Sequence, residues 1–277
     1  MDSETRIRLG AFLGVFVAMV LWEVFAPRRP LAPGRSWRWP NNLGVAAFNA
    51  ILLRVLMPGA AVAVAAASEI EHWGLFNNLP PAIERHLPRA AIVLLLVILL
   101  DLVIYLQHVM FHAVPALWRV HRMHHADLDF DVTTGARFHP LEIAISMVIK
   151  IAAVAAIGAS PQAVVIFEVV LNTTSMFNHS NVRIPLAADR ALRWLLVTPD
   201  MHRVHHSVIR AETNSNFGFN LSWWDRTLGT YRAQPERGRL GMTIGLDQFR
   251  DLTALRLDRM LLQPWRGAAG AYPLGRE

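Results

Sequence analysis

The sequence predicts an all-α integral membrane protein with about four to five transmembrane helices, and three observations carry that prediction. Hydrophobic residues make up 53% of the 277 and charged residues 17%, with a mean hydropathy of +0.31, on the apolar side of soluble domains. The apolar residues gather into stretches long enough to cross a hydrocarbon core of about 30 Å at 1.5 Å per residue. Arginines between those stretches alternate in a way that gives one consistent topology.

The first stretch, residues 7–27, is almost wholly apolar. It reads as an uncleaved membrane helix rather than a signal peptide, because no A-x-A-like site follows and Arg28 and Arg29 lie after it. The second, 43–67, contains Arg54 and Pro58. Arginine at mid-membrane costs at least ~2.5 kcal/mol, so this segment is expected to tilt, kink or pack inside a bundle. The third, 90–106, is the clearest and carries Asp101. Residues 143–157 and 163–177 form a fourth and fifth, joined by the turn-like "GASP" from Gly158 as a helical hairpin. After Pro185 the chain turns polar, with "NSNFGFNLSWWDRTLGTY" as loop and turn material. Leu246, Phe249, Leu252, Leu255 and Leu257 then suggest an amphipathic segment on the membrane surface.

The positive-inside rule places Arg28, Arg29, Arg35 and Arg38 in the cytoplasm and the loop 68–88, with Glu69, Glu71 and Glu84, outside. Arg119 and Arg122 fall inside, "GASP" outside, and Arg183, Arg190 and Arg193 inside. The net charge of +6 and pI near 10.8 do not signal nucleic acid, since no basic run is interleaved with aromatics on a polar segment. Arginines beside apolar segments suit anionic headgroups instead. The absence of cysteine excludes disulfides, iron–sulfur clusters, thiolate metal sites and cysteine nucleophiles, so any metal must be held by nitrogen and oxygen.

Ten of the 12 histidines fall in five short stretches, and the topology brings all five to the cytoplasmic face, as a helical cap holding a histidine-rich di-metal site. In "QHVMFH", His108 and His112 stand four apart at the end of the third helix and share a face. In "HRMHH", His121 shares a face with both His124 and His125, which diverge by about 100° and so could address two ions. His202, His205 and His206 repeat that spacing in "HRVHH". His139 in "RFHPLE" and His179 in "FNHSN" lie at the same boundary. Packed imidazoles invite protonation and repulsion, and metal binding removes the conflict. Imidazole suits iron, zinc, copper and nickel, and so many donors exceed the needs of one four-coordinate zinc. Neither HExxH nor the Glu-x-x-His pairs of ferritin-like bundles is present. Bis-histidine haem ligation would need single intramembrane histidines on facing helices, which adjacent pairs at the boundary fit poorly.

These residues resemble the fatty acid hydroxylase and sterol desaturase superfamily of membrane di-iron enzymes. The likeness runs from Asp101 to about Tyr231, with the boxes HX3–4H, HX2HH and HX2HH at His108/His112, His121/His124/His125 and His202/His205/His206. It implies two non-haem iron ions, O2 as co-substrate, and oxidation of an unactivated C–H bond of a lipid. It also implies that the eight box histidines are ligands, with His179 a ninth. His139 and Asp101 are candidates for ligation or for hydrogen-bonding a ligand imidazole. On this reading residues 1–90 are membrane helices and linker, 91–235 the catalytic unit, and 236–277 a membrane-surface tail.

Hydroxylation of a fatty acyl, sterol-like or polar lipid is the leading expectation. The alternatives are a desaturase or C-methyl oxidase on a sterol or carotenoid-like lipid, and a non-enzymatic metal-binding membrane protein. With no "HPGG" haem motif present, electrons are expected from a separate donor, cytochrome b5-like or a ferredoxin with its reductase. Lipid is expected to reach the site between the third, fourth and fifth helices, where Trp118 and Phe138 are either lining residues or interfacial anchors. Asp127, Asp129 and Asp131 read as solvated loop charges, and Asp225 with Arg226 as a structural turn. His72 and His86 fall on the opposite side and are expected not to be ligands. Scarce lysine amid abundant Arg and Ala suggests a bacterial inner membrane, with the endoplasmic reticulum as the alternative.

Overall fold

Proline begins four of the helices that matter most here, at the first position where its missing N–H is no loss. A computed structural model describes residues 3–84 and 86–275, and it is helical, with three isolated bridges and no β-strand among the described residues. The main helices are α1 (Ser3–Phe25), α2 (Arg35–Leu56), α3 (Ala60–Ile70), α4 (Arg89–Ala113), α5 (Pro115–His125), α6 (Pro140–Ile157), α7 (Pro161–Asn178), α8 (Leu186–Leu192) and α9 (Pro199–His205). Ser160 and Thr198 cap α7 and α9 by accepting from the backbone N–H of Ala163 and Met201.

Among the described residues, four stretches are long and apolar enough to cross a membrane: Glu4–Phe25, Arg35–Ile70, Arg89–Ala113 and Pro140–Ile157. The second is broken, as Arg54 and Pro58 suggested, because Pro58 ends α2 and Gly59, at φ 62°, restarts the chain as α3. It also begins earlier than residue 43, since Arg38, Asn42 and Asn49 face inward and need no lipid. The fifth expected segment forms as α7, an inner helix whose Ala163, Val164 and Phe167 are fully buried in one cluster with Ala61 and Ala65 of α3 and Leu96 and Leu100 of α4. Its Glu168 meets Lys150 of α6 at 2.7 Å and Arg8 of α1 at 2.5 Å.

The expectation of solvated charges at Asp127, Asp129 and Asp131 is wrong: all three are fully buried. Arg38 lies among them, with Nε 2.7 Å from Asp127 and Nη1 2.5 Å from Asp131, and donates to Thr134 Oγ1 at 2.9 Å. Asn42 bridges the same loop to Arg137, donating to Asp127 and accepting from the Arg137 guanidinium. Glu23, at the end of α1, accepts from the backbone N–H of Val132 (2.8 Å) and Asn181 (2.7 Å). The first two helices thus brace both loops that follow histidines.

The C-terminal tail closes the other side. Trp118, fully buried, stacks on Tyr272 and donates its indole N–H to the Ala269 carbonyl at 3.0 Å. It is therefore neither an interfacial anchor nor a lining residue for lipid. Leu246 packs in that cluster, Leu255 is fully buried, and Met260 packs between Val45 and Met123. Leu252, Leu262 and Trp265 stay exposed.

Candidate metal centre

Nine imidazoles converge where the C-terminal end of α4, α5, the end of α7 and α9 meet, and each is at most 3% exposed. They divide into two groups, within each of which the donor nitrogens lie inside 4.8 Å of one another: His108, His112, His121, His125 and His205, and His124, His179, His202 and His206. Helical twist makes the division. His121 and His125, one turn apart, serve the first group while His124 turns to the second, and His205 parts from His206 in the same way.

Hydrogen bonds fix most of the tautomers. Nδ1 of His108 faces the Phe217 carbonyl at 2.8 Å, that of His205 the Ser215 carbonyl at 2.7 Å, and that of His179 the Ser175 carbonyl at 2.7 Å. His121 Nδ1 faces Glu142 Oε1 at 2.6 Å, His112 faces Asn214 Oδ1 at 3.1 Å, and His124 faces the Arg137 carbonyl at 3.3 Å. A carbonyl or carboxylate oxygen only accepts, so these six Nδ1 atoms carry the protons and Nε2 carries a lone pair.

Bare nitrogens then confront one another. Nε2 of His108 lies 3.1 Å from that of His121 and 3.0 Å from that of His205, and His124 lies 3.1 Å from His179. With no proton between them such contacts are repulsive, and a shared cation makes them favourable. Neighbouring donors at right angles around an ion bonded at about 2.1 Å stand about 3 Å apart. The residues therefore fit one metal ion per group. Burial, reinforced by the other imidazoles, holds His124, His125, His202, His205 and His206 well below the usual histidine pKa. Burial brings His179 down to about 3, although its hydrogen bond to the Ser175 carbonyl pulls the other way. Neutral imidazole is the form that binds metal.

Residues 93–230 match the family model "fatty acid hydroxylase". The chain belongs to the fatty acid hydroxylase family. Among curated relatives, ornithine lipid hydroxylase of Rhizobium tropici is 28% identical over 68% of this chain and 58% of its own length. Human alkylglycerol monooxygenase is 30% identical over 52% of this chain and 32% of its own. Cholesterol 25-hydroxylase of Rattus norvegicus is 26% identical over 61% and 56%. Each alignment thus covers less than two thirds of the relative. No solved structure gives a significant match.

The family-matched region holds all nine clustered histidines, and the remaining candidates lie apart from both groups. His139 caps α6, with Nδ1 accepting from the Leu141 N–H and Nε2 facing the Leu261 carbonyl, so both ring nitrogens are engaged. Asp101 accepts from Trp224 Nε1 (2.8 Å) and the backbone N–H of Leu221 and Asn220, and touches no imidazole. His72 and His86 join neither group. Phe138 stacks on His124 with ring centroids 4.3 Å apart.

Two positioning residues, Glu142 and Asn214, escaped sequence reasoning, and a third does more than was expected of it. Glu142 stands three residues after His139 in the quoted "RFHPLE", and a search for carboxylates beside the histidine stretches would have found it. Asn214 orients His112 while its Nδ2 donates to the Tyr272 carbonyl at 2.7 Å. Asp225 is the structural residue expected, and it also accepts from Phe217 N–H (2.7 Å) and Gly218 N–H (2.9 Å), so it holds the loop whose Phe217 carbonyl orients His108.

Proposed function

We propose that this chain hydroxylates a membrane lipid, with two iron ions held by the nine imidazoles, His108, His112, His121, His125 and His205 around one and His124, His179, His202 and His206 around the other. The observation that carries this reading is the set of lone pairs held face to face in two buried groups within a fatty acid hydroxylase chain. The balance is R–H + O2 + two electrons + two protons giving R–OH + water, with the electrons from a separate donor, cytochrome b5-like or a ferredoxin with its reductase. Iron supplies the O2 chemistry that no side chain provides.

The chain's own residues prepare the site. Six acceptors hold Nδ1 protonated and Nε2 bare. Glu142 places one negative charge against His121 in an otherwise neutral donor set. Phe111, Phe130 and Phe217, each at most 1% exposed, pack on the imidazoles and exclude water. Oxygen insertion is favoured over desaturation by the relatives, whose names are hydroxylase or monooxygenase. The arginine pattern and the bacterial relative support a bacterial inner membrane with the site on the cytoplasmic side.

The test is lipid mass spectrometry of cells expressing wild type or His205→Ala under 18O2. A lipid carrying one 18O in wild type alone is the expected result. No oxygenated lipid in any condition overturns the proposal.

A further inference from the structure

Residues 214–222 form no helix, so their backbone N–H groups need partners from elsewhere, and two buried carboxylates supply four of them. Asp225 accepts from Phe217 and Gly218 at 2.7 and 2.9 Å, and Asp101 of α4 accepts from Asn220 and Leu221 at 3.3 and 3.2 Å. Trp224 adds its indole N–H to Asp101 at 2.8 Å. Phe219 stands between the two clamps, and its carbonyl accepts from Nδ2 of Asn178, the residue before His179, at 2.9 Å. A Cβ on Gly218 would stand 2.7 Å from Asp225 Oδ2, so the loop is closely fitted to its clamps.

Asp101, Tyr105 and His108 lie at i, i+4 and i+7 on one face of α4, and all three hold this loop or the turn that follows it. His108 Nδ1 faces the Phe217 carbonyl. Tyr105 donates to Thr230 Oγ1 at 2.8 Å, and Thr230 donates in turn to Asp225 at 2.7 Å. Asp101 is 1% exposed on a membrane-spanning helix and meets three N–H donors but no cation among the described residues. A carboxyl group there is costly, and such groups are as a rule functional.

The loop carries two contacts to the imidazoles. One is the Phe217 carbonyl. The other is the Phe219 ring, whose centroid lies 5.2 Å from His108 in the first group and 5.9 Å and 6.4 Å from His202 and His179 in the second. Phe111, Phe217 and Trp118 touch only the first group, and Phe130 and Phe138 only the second. Phe219 also belongs to the apolar cluster of Leu96, Leu100 and Ile104 of α4, Val154 of α6 and Phe167 of α7. It therefore joins the core of the membrane helices to both groups of donors.

We propose that Asp101 is a positioning residue for the metal centre. Acting through the loop, it keeps the Phe217 carbonyl on His108 and the Phe219 ring across the two imidazole groups. One consequence rests on the hydroxylase reading: a lipid carbon that approaches between α4, α6 and α7 meets Phe219, so Asp101 also governs which C–H bond is presented.

The experiment loads the full chain, in detergent micelles, with Co2+ and follows by 1H NMR the imidazole Nδ1–H resonances, which the paramagnetic ion shifts clear of all others. Signals that persist in His206→Ala belong to the first group. Asp101→Asn should speed exchange of a first-group N–H with D2O by about tenfold, the worth of a lost hydrogen bond, and leave the second group unchanged. Trp224→Phe, which removes one donor and keeps an aromatic ring, should act in the same direction more weakly, and it decides the matter if Asp101→Asn does not fold. Leu106→Ala, at an exposed site on α4 away from this face, should change nothing. Unchanged exchange in every variant that folds, or exchange that rises equally in both groups, overturns the proposal. With turnover, Asp101→Asn and Phe219→Ala should both spread 18O over carbons that wild type leaves untouched, and a lower yield at the same carbon overturns the consequence for substrate. Faster exchange in a chain that forms no 18O product sustains the positioning role and removes the hydroxylase reading.

Discussion

Glu142 Oε1 lies 2.6 Å from His121 Nδ1, and both residues are buried. The other carboxylate oxygen, Oε2, has no hydrogen-bond partner. This contact fixes the His121 tautomer and brings a negative charge to the first group of imidazoles. Removing such a partner costs about 10–100-fold in metal affinity. Glu142→Ala is expected to weaken iron binding by that factor in chelator competition, and Glu142→Gln, which keeps an acceptor, by less. Equal affinity in wild type and Glu142→Ala contradicts the role.

Gly135 does similar service for the second group by being small. A Cβ there would stand 2.7 Å from the Ser175 carbonyl oxygen and 3.2 Å from His179 Nδ1. Because that carbonyl orients His179, Gly135→Ala should lower bound metal from two ions per chain toward one. Elemental analysis of purified protein measures it, and an unchanged ratio counts against the coupling.

Arg38 is expected to behave as the buried partner of an acidic loop. Burial raises the Asp127 carboxyl, but the Arg38 and Arg137 guanidiniums and the Thr134 hydroxyl more than reverse this, to about 2. Arg38→Leu strands that charge and should cost about 3–5 kcal/mol in denaturant unfolding, with Arg38→Leu/Asp127→Leu costing less than the sum of the single changes. Additive losses would mean that the pair acts independently.

The pKa depression of His124, His125, His202, His205 and His206 makes a signed prediction for metal-free protein. Their folded values lie below the unfolded 6.5, so below that pH the unfolded chain binds more protons, and stability falls as pH drops. The Tm of the metal-free protein in detergent should be lower at pH 5.5 than at 7.5. A Tm that is flat or rises on acidification contradicts it.

Local spacing was legible in the sequence, and distant pairing was not. The four-residue interval of His108 and His112 placed them on one helical face, and their ring centroids stand 5.1 Å apart. The divergence of His124 from His125 suggested two ions, and the two residues do turn to different groups. The buried state of Asp127 and Asp131 depends on Arg38, some 90 residues earlier, and no local pattern signals it. Trp118 looked interfacial because its cover, Ala269 and Tyr272, is about 150 residues away in the chain. His139 kept company with ligand-like neighbours, yet the following Pro140 marks a helix start, where a side-chain cap is wanted.

The most direct test of the central claim is the metal content of the purified chain and its response to one substitution in each group. Two iron ions per chain in wild type, with His125→Ala and His206→Ala each lowering that number, is the result expected from five imidazoles around one ion and four around the other. A single ion in wild type, or two ions retained in both variants, would contradict it.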